Sequence, residues 1–139
     1  MGKAICMLEL SSIARGIETS DYMIKAAQVS LLRSSTVCPG KYMIIVGGDT
    51  GAVRASMEAG IAQGGEFVVD SLLIPNVHDQ LFPAISGTVE VVGGKGFVVL
   101  TGDVGAVRAA VEAAKRESEL YVESTVIPRP APQLLQSLL

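Results

Sequence analysis

The sequence has few aromatic residues, few charges and few cysteines. It contains no tryptophan, and aromatic residues make up 4% of its 139 residues. Charged residues account for 18%, against 49% for hydrophobic residues, most of which are small or β-branched. This composition is typical of strands and closely packed helices, and it is rich in apolar residues for a monomer of this size. We therefore expect part of the apolar surface to be buried between chains.

Each shortage excludes a class of protein. A net charge of −3 argues against a nucleic-acid-binding protein, because such proteins carry a basic stripe. No apolar run approaches the length of a membrane span, so we expect no membrane partner. Residues 1–6 lead directly into a strand-like pattern, and we expect no signal peptide. Cys6 and Cys38 are too few for a disulfide framework and favour a reducing cytosol.

Residues in arrangements suited to catalysis are also few, and we expect the protein not to be an enzyme. His78 is the single histidine and has no nearby metal-ligating cluster, so it is interpreted as a solvated loop residue. Asp49 and Asp103 each stand just before a predicted helix, where capping explains them better than catalysis. No nucleophile–base pair and no paired carboxylates in a cleft are evident.

The clearest feature that is present is an unequal internal repeat. Residues 48–55 read GDTGAVRA and residues 102–109 read GDVGAVRA. In each copy a Gly-Lys turn and an apolar strand precede the motif, and Ile-Pro follows it downstream. A repeat of this kind indicates two copies of one supersecondary unit.

The first copy predicts a strand–helix–strand–strand–helix–strand order. The predicted strands are residues 4–10, 29–37, 42–46 and 67–74, and the predicted helices are residues 13–28 and 51–63. Ser11 or Ser12 and Asp49 are the expected N-caps, and Gly64 with Gly65 ends the second helix. Ile13, Ile17, Ile24 and Ala27 recur at helical spacing in the first helix, and Val53, Met57 and Ile61 are expected on the inner face of the second. The fold class is α+β, a ferredoxin-like split βαβ unit with an antiparallel sheet and helices on one face.

The second copy is shorter. It predicts strands at 88–92, 97–101 and 120–127 and a helix at 105–117, and it lacks the first strand, the first helix and most of the second strand. We divide the chain into a complete domain with its connector, residues 1–87, and a partial second domain with a tail, residues 88–139. The connector from His78 to Gly87 is expected to carry a short helical turn. A remnant this small cannot form its own core, so it must pack on the first copy or on another chain.

These motifs resemble the bacterial microcompartment shell domain. The segments that carry the resemblance are ICMLEL at 5–10, MIKAA at 23–27, the two Gly-Asp-x-Gly-Ala-Val motifs and VIPRP at 126–130. Two copies in one chain resemble the tandem-domain shell proteins, whose trimers imitate a hexagonal tile. TVCPGK at 36–41 is similar to the propanediol-utilisation type, which carries an iron–sulfur cluster at its central pore. The resemblance implies a structural tile of a cytoplasmic bacterial microcompartment shell, self-associated as a trimer or larger ring.

The resemblance also assigns roles to individual residues. The turn before the third strand lines the pore, and this comprises Cys38, Pro39, Gly40 and Lys41 in the first copy and Gly93, Gly94 and Lys95 in the second. Lys25 matches a lysine at the tile edge, and Arg129 matches an arginine that reaches into the neighbouring tile. Asn76 stands in the place of that arginine in the first copy. Other shell proteins are therefore the expected partners at the edges.

Cys38 has two interpretations. A four-iron cluster needs about four ligands, which one thiolate per chain cannot supply, whereas three copies around a threefold axis supply three. By the resemblance, Cys38 binds a [4Fe-4S] cluster shared by three chains. From the residues alone, Cys38 is a lone exposed thiol in a turn. Cys6 alternates with apolar residues and is expected to be buried.

Two rival functions remain open. One is a small ferredoxin-like regulator that holds an anion at the Gly-Asp-x-Gly helix starts, where backbone N–H groups favour negative charge. The other is a redox carrier whose purpose is the cluster itself. Lys41 and Lys95, if they surround a pore, would favour the passage of anions.

Overall fold

A computed structural model describes residues 3–82, 85, 91–92, 95–96 and 98–138. The first copy has the predicted order of elements, with every boundary within two residues of the prediction. The elements are β1 (Ala4–Leu10), α1 (Ile13–Ala26), β2 (Ser30–Val37), β3 (Lys41–Gly48), α2 (Thr50–Gly64), a 3-10 turn (Gly65–Phe67) and β4 (Val68–Ile74).

The rest of the chain contains short strands and two helices. These are β5 (Val91–Val92), β6 (Lys95–Gly96), α3 (Val104–Glu117) and α4 (Pro132–Leu138). The chain divides into two compact units, unit 1 (Met1–Phe97) and unit 2 (Val98–Leu139). The predicted domain boundary after residue 87 falls within residues 86–90, which lie outside the described part of the chain. It therefore stays a prediction.

The sheet of unit 1 is built around β1. Its strand order is β2-β3-β1-β4, and all three neighbouring pairs are antiparallel. Leu8 lies opposite Ile44 of β3 on one side and opposite Ser71 of β4 on the other. The predicted split βαβ fold with an antiparallel sheet is therefore confirmed.

The face of the sheet beneath the helices forms the main core. Strand alternation places every second residue of β1 on this face, as predicted for Cys6, Leu8 and Leu10, and none of the three is exposed. Met23 from α1 and Val53 from α2 complete the cluster together with residues of β3.

The opposite face of the sheet is covered by the connector. Ile5 and Ile45 on that face pack with Val77 and Ile85, and the partly buried Phe82 joins them. Leu81, Phe82 and Ile85 have helical backbone, which is the short helical turn expected there. The connector therefore keeps the second sheet face from water, which the sequence did not predict.

The apolar residues that indicated α1 are not its buried face. The buried residues are Gly16, Thr19, Ser20 and Met23, whereas Ile17 is 58% exposed. Small side chains allow the helix to lie close to the sheet: a Cβ on Gly16 would stand 2.4 Å from the Cβ of Tyr42. Close approach therefore decides which face turns inward, and the isoleucines remain on the surface.

The prediction for α2 is correct only in part. Val53 is fully buried and Met57 packs against the core, but Ile61 is 38% exposed. The rest of the inner face is again small, and Ser56, Gly60 and Gly64 are its other buried residues. Ser56 is held by a hydrogen bond that its hydroxyl donates to the carbonyl oxygen of Met23, at 2.9 Å.

Helices α1 to α3 begin, and α2 ends, at the capping residues that the sequence predicts. The Ser12 side chain accepts a hydrogen bond from the Arg15 backbone N–H, as an N-cap does. Asp103 accepts from the backbone N–H groups of Gly105 and Ala106 at the start of α3. Asp49 occupies the N-cap position of α2 but makes no side-chain bond to it. At the other end Gly65 adopts φ = 53°, a left-handed conformation suited to glycine.

Two predicted strands of the second copy are absent. Residues 98–101 and 120–127 contain no strand, and Phe97 lies outside the described residues. The physical reason is the missing central strand, because β3 and β4 in unit 1 both hydrogen-bond to β1 and unit 2 has no counterpart of it. Isolated extended segments are not stable without such partners. Helix α3 forms as predicted but buries none of its residues.

We predict that Gly16→Ala destabilises unit 1. The added methyl group would overlap Tyr42 at its Cβ and ring, and overpacking of this kind typically costs about 1–3 kcal/mol. Gly51→Ala in α2 is the matched control, since its Cβ would meet nothing within 4 Å and alanine favours helix. Urea unfolding at one protein concentration should show a lower midpoint for Gly16→Ala alone. Equal midpoints would contradict the close approach of α1.

Candidate pore turn and tile edges

The turn that carries Cys38 is a tight hairpin between β2 and β3. The two strands pair up to Val37 opposite Lys41, which leaves Cys38, Pro39 and Gly40 as the connecting loop. Gly40 has φ = 67°, where residues with a side chain are strained, and the space around its Cα is open. The Cys38–Pro39 peptide bond is cis. The thiol of Cys38 is exposed and not in a disulfide.

A chain of hydroxyl groups fixes the base of this hairpin. The Ser34 hydroxyl lies 2.6 Å from the Tyr42 hydroxyl and 2.9 Å from that of Ser20. Ser20 in turn donates to the backbone carbonyl of Gly16, at 2.9 Å. These bonds connect β2, β3 and α1, and partly buried bonds of this kind are costly to leave unmade. The hairpin is therefore held on both strands and from the helix.

Lys41 is not an isolated positive charge. Its Nζ lies 3.2 Å from the carboxylate Oε1 of Glu9 on β1, and the side chains are 37% and 26% exposed. Glu9 was not among the residues predicted to lie beside this turn. Its signal was available, because Glu9 is the only charged residue in the strand AICMLEL and alternates away from the core positions. The pair offsets the charge that would favour anions beside this turn.

The two cysteines have opposite environments. Cys6 is fully buried, as predicted, and burial raises the pKa of its thiol to about 11. It therefore remains a neutral thiol at physiological pH. Cys38 is the exposed thiol, but no group of three His, Cys, Asp or Glu side chains that could hold a metal occurs within the described residues of a single chain.

Lys25 lies at the end of α1, on the surface. Its Nζ donates a hydrogen bond to the carboxylate of Asp21, one helical turn earlier. That bond raises the pKa of Lys25, so the side chain stays positively charged at neutral pH. Both side chains are more than half exposed, and such surface pairs are weak. Lys25 is thus available to another chain.

Asn76 and Arg129 share an unusual backbone conformation. Each follows an Ile-Pro pair, each is exposed, and their φ values are 56° and 53°. These are the two left-handed residues other than glycine in the described chain. The two copies therefore place different side chains on the same local geometry, an amide in one and a guanidinium in the other.

The second pore turn is only partly described. Gly93 and Gly94 lie outside the described residues, while Lys95 pairs with Val92 in the small β5–β6 hairpin. A hairpin is what the repeat predicts at this point.

The remaining candidates have structural roles. His78 is exposed in a loop, where its Nδ1 accepts from the backbone N–H of Gln80 at 3.3 Å. The Asp103 carboxylate occupies two backbone N–H groups at the start of α3, which leaves them less suited to an external anion. Among the helices of the described residues, none has the length and apolar run needed to cross a membrane.

Comparisons with known proteins show the family of the chain. The BMC domain family matches residues 4–77 and again, over a shorter stretch, residues 85–130. The chain is 37% identical to "Bacterial microcompartment shell protein PduT" of Citrobacter freundii, across 94% of each chain. It is 35% identical to "Carboxysome shell protein CsoS1" of Prochlorococcus marinus (strain MIT 9313), across 61% of this chain and 85% of that protein.

A solved structure shows the same fold. The crystal structure of a microcompartment protein from Desulfitobacterium hafniense DCB superposes with a TM-score of 0.83 at 36% identity, and the match covers 96% of this chain and 98% of that one.

The alignment with the Citrobacter freundii protein also shows a difference in length. It spans 173 positions against the 139 residues of this chain, so at least 34 positions have no residue of this chain opposite them. Unmatched positions in this alignment and a second family match shorter than the first both fit a second copy that lacks some of the strands and helices of the first. With both copies matched, this chain belongs to the BMC domain family and is a bacterial microcompartment shell protein.

Proposed function

We propose that the chain is a structural tile of a bacterial microcompartment shell in the cytoplasm, without enzymatic activity, and that three copies form a ring with a central pore. The observation that carries this proposal is the family match in both copies, joined to 37% identity with a named shell protein. Two domains per chain would give six positions around the ring.

The surface of unit 1 supports assembly. Several large apolar side chains are exposed on its helices, among them Ile13, Ile17 and Ile24 of α1. Such a stripe fits the expectation that apolar surface is buried between chains. Lys25 and Arg129 are both exposed, which suits contacts with other shell proteins at the tile edges, and Asn76 replaces the arginine in the first copy.

We also propose that the pore holds a [4Fe-4S] cluster bound by Cys38 of three chains. The support is chemical: an exposed thiol outside any disulfide, on a hairpin with open space around Gly40, can be brought to a threefold axis. Three thiolates leave one iron for a non-protein ligand. When bound, such a cluster supplies one-electron transfer. Pro39, Gly40 and Lys41, with Gly93, Gly94 and Lys95, would form the rest of the pore lining.

Tile edges provide the first test. We expect Lys25→Ala and Arg129→Ala to leave the ring intact but to prevent its growth into sheets, because each removes a charged group from an edge. Native mass spectrometry measures the ring, and negative-stain electron microscopy measures the sheets.

Lys115→Ala is the control for this experiment. Lys115 resembles Lys25 in being an exposed lysine in the last turn of a helix, paired with a carboxylate of the same helix. Sheets should grow normally in this variant. Normal sheets in both edge variants would contradict the edge assignment, and a parent protein that stays monomeric would contradict the tile.

Iron binding provides the second test. Anaerobically purified protein should be brown, with a broad visible charge-transfer absorption and about four irons for three chains. Cys38→Ser should remove both the colour and the iron. Cys6→Ala is the matched control and should retain them, since Cys6 is buried and its thiol remains protonated. Colour that survives in Cys38→Ser would refute the cluster without affecting the tile proposal.

A further inference from the structure

Unit 2 contains two unpaired segments that correspond to strands of unit 1. The repeat aligns residues 98–101 with residues 44–47 of β3, and residues 120–127 with residues 67–74 at β4. In unit 1, β3 and β4 are joined through β1, which pairs antiparallel with both. Unit 2 therefore has the two outer partners of a three-stranded arrangement without the strand between them.

Val98 and Leu100 are exposed where their counterparts in β3 are buried, and residues 120–127 expose further apolar side chains. Ile44 is 0% exposed, whereas the corresponding Val98 is 69% exposed. Leu120 and Val122 are 88% and 69% exposed, and Ile127 is 54% exposed. An extended apolar segment with unpaired backbone groups is a surface for another strand.

The strand that fills the gap must run antiparallel to both neighbours and carry apolar side chains. The segment 120–127 of a second copy has this chemistry and is itself part of no strand. We propose that residues 120–127 of two copies of this chain pair antiparallel about a twofold axis, each taking in the other copy the place that β1 holds in unit 1.

The resulting sheet is closed under the twofold axis, and because a ring of three copies has no twofold axis between its members, the contact joins copies of different rings. The order of the sheet is residues 98–101 of the first copy, 120–127 of the second, 120–127 of the first and 98–101 of the second. Every neighbouring pair is antiparallel, because β3 and β4 are both antiparallel to β1 and so run in the same direction as each other. Each copy gives and receives the same strand, as an isologous contact requires.

Charge selects the register of this pair. In a twofold antiparallel pair one residue lies opposite its own copy, and residues equally distant from it lie opposite one another. A pair centred on Glu123 would oppose two carboxylates, which is destabilising. A pair centred on Ser124 opposes two hydroxyls and places Val122 opposite Val126 of the second copy. Pairs centred on Glu123 or Ser124 are the two that join the segment along most of its length, and of these the charges favour Ser124 on the axis.

Two backbone bonds hold the segment at its start, where the Ser118 carbonyl accepts from the Tyr121 N–H and the Ser118 hydroxyl accepts from the Leu120 N–H. A cleft of about 440 Å³ lies between α3 and residues Ser124 to Val126. Within the segment, the Tyr121 hydroxyl lies 2.7 Å from the Ser124 hydroxyl, and straightening the strand gives up this bond. In exchange the backbone N–H and C=O groups gain a hydrogen-bonded ladder on both sides.

Cysteine cross-linking tests the contact directly. In the full-length chain, Ser124→Cys should form a disulfide between two copies under mild oxidation, identified by mass spectrometry of the linked peptides. Peptide mapping separates this linkage from any at Cys38. Ser118→Cys, at the end of α3, is the control and should remain unlinked. No linkage at position 124, equal linkage at position 118, or preferential linkage of Glu123→Cys would overturn the proposal.

Two substitutions of opposite charge at position 125, compared with each other, test the register. Glu123 lies opposite Thr125 of the second copy, so in the Ser124→Cys background Thr125→Lys should raise the yield of the disulfide and Thr125→Glu should lower it. Sedimentation of the two variants without the added cysteine gives a second measurement, with the lysine variant associating at lower concentration. Equal association of both variants contradicts the pairing.

The shell-tile proposal can fail without affecting these results. Linkage at position 124 depends neither on iron nor on the growth of sheets, and Lys25→Ala and Cys38→Ser should leave its yield unchanged. A strand supplied by a different protein would leave position 124 unlinked in the purified chain and would count against the proposal.

Discussion

The pairing of β1 with strands on both of its sides is the constraint on which the rest of the structure depends. It joins β3 to β4, and it places Cys6, Leu8 and Leu10 beneath the helices. Unit 2 shows what happens without it. There α3 still forms, because a helix satisfies its own backbone, but residues that should be strands have no ladder to join. Without the central strand, and with the first helix and most of the second strand also missing, unit 2 keeps a helix whose flanking segments 98–101 and 120–127 form no strands.

The same constraint explains the position of the predicted pore turn. β3 is fixed on one side by β1 and on the other by β2, so the hairpin at Cys38 projects from a rigid part of the sheet. The hydroxyl chain through Ser34 and Tyr42 adds a connection to α1. Glu9 then places a carboxylate beside Lys41. The central strand thus sets both the geometry and the charge next to the turn.

Much of unit 1 was predictable because local and tertiary preferences agree there. Apolar alternation in β1, the Ser12 cap and the glycines after α2 each act locally, and each appeared where predicted. Hydrophobic periodicity did not give the buried face of α1 or the place of Ile61 in α2, because close approach requires Gly16 and other small residues. The prediction of strands in the second copy was wrong for a different reason. Strand formation depends on a partner that is remote in sequence, and local propensity does not report whether that partner exists. The tile-edge residues rest on resemblance, since an exposed lysine has no local signature of a partner.

The contrast between the two cysteines gives the chain a chemical asymmetry. Cys6 is sealed in the core with a thiol that remains protonated, whereas Cys38 faces solvent at the tip of a hairpin. The thiolate is the reactive form of cysteine, so oxidants, metals and alkylating reagents meet a single site per copy as long as the core is closed. Labelling stoichiometry then becomes a measure of two separate events. The first equivalent reports access to the turn, and a second reports the opening of the sheet.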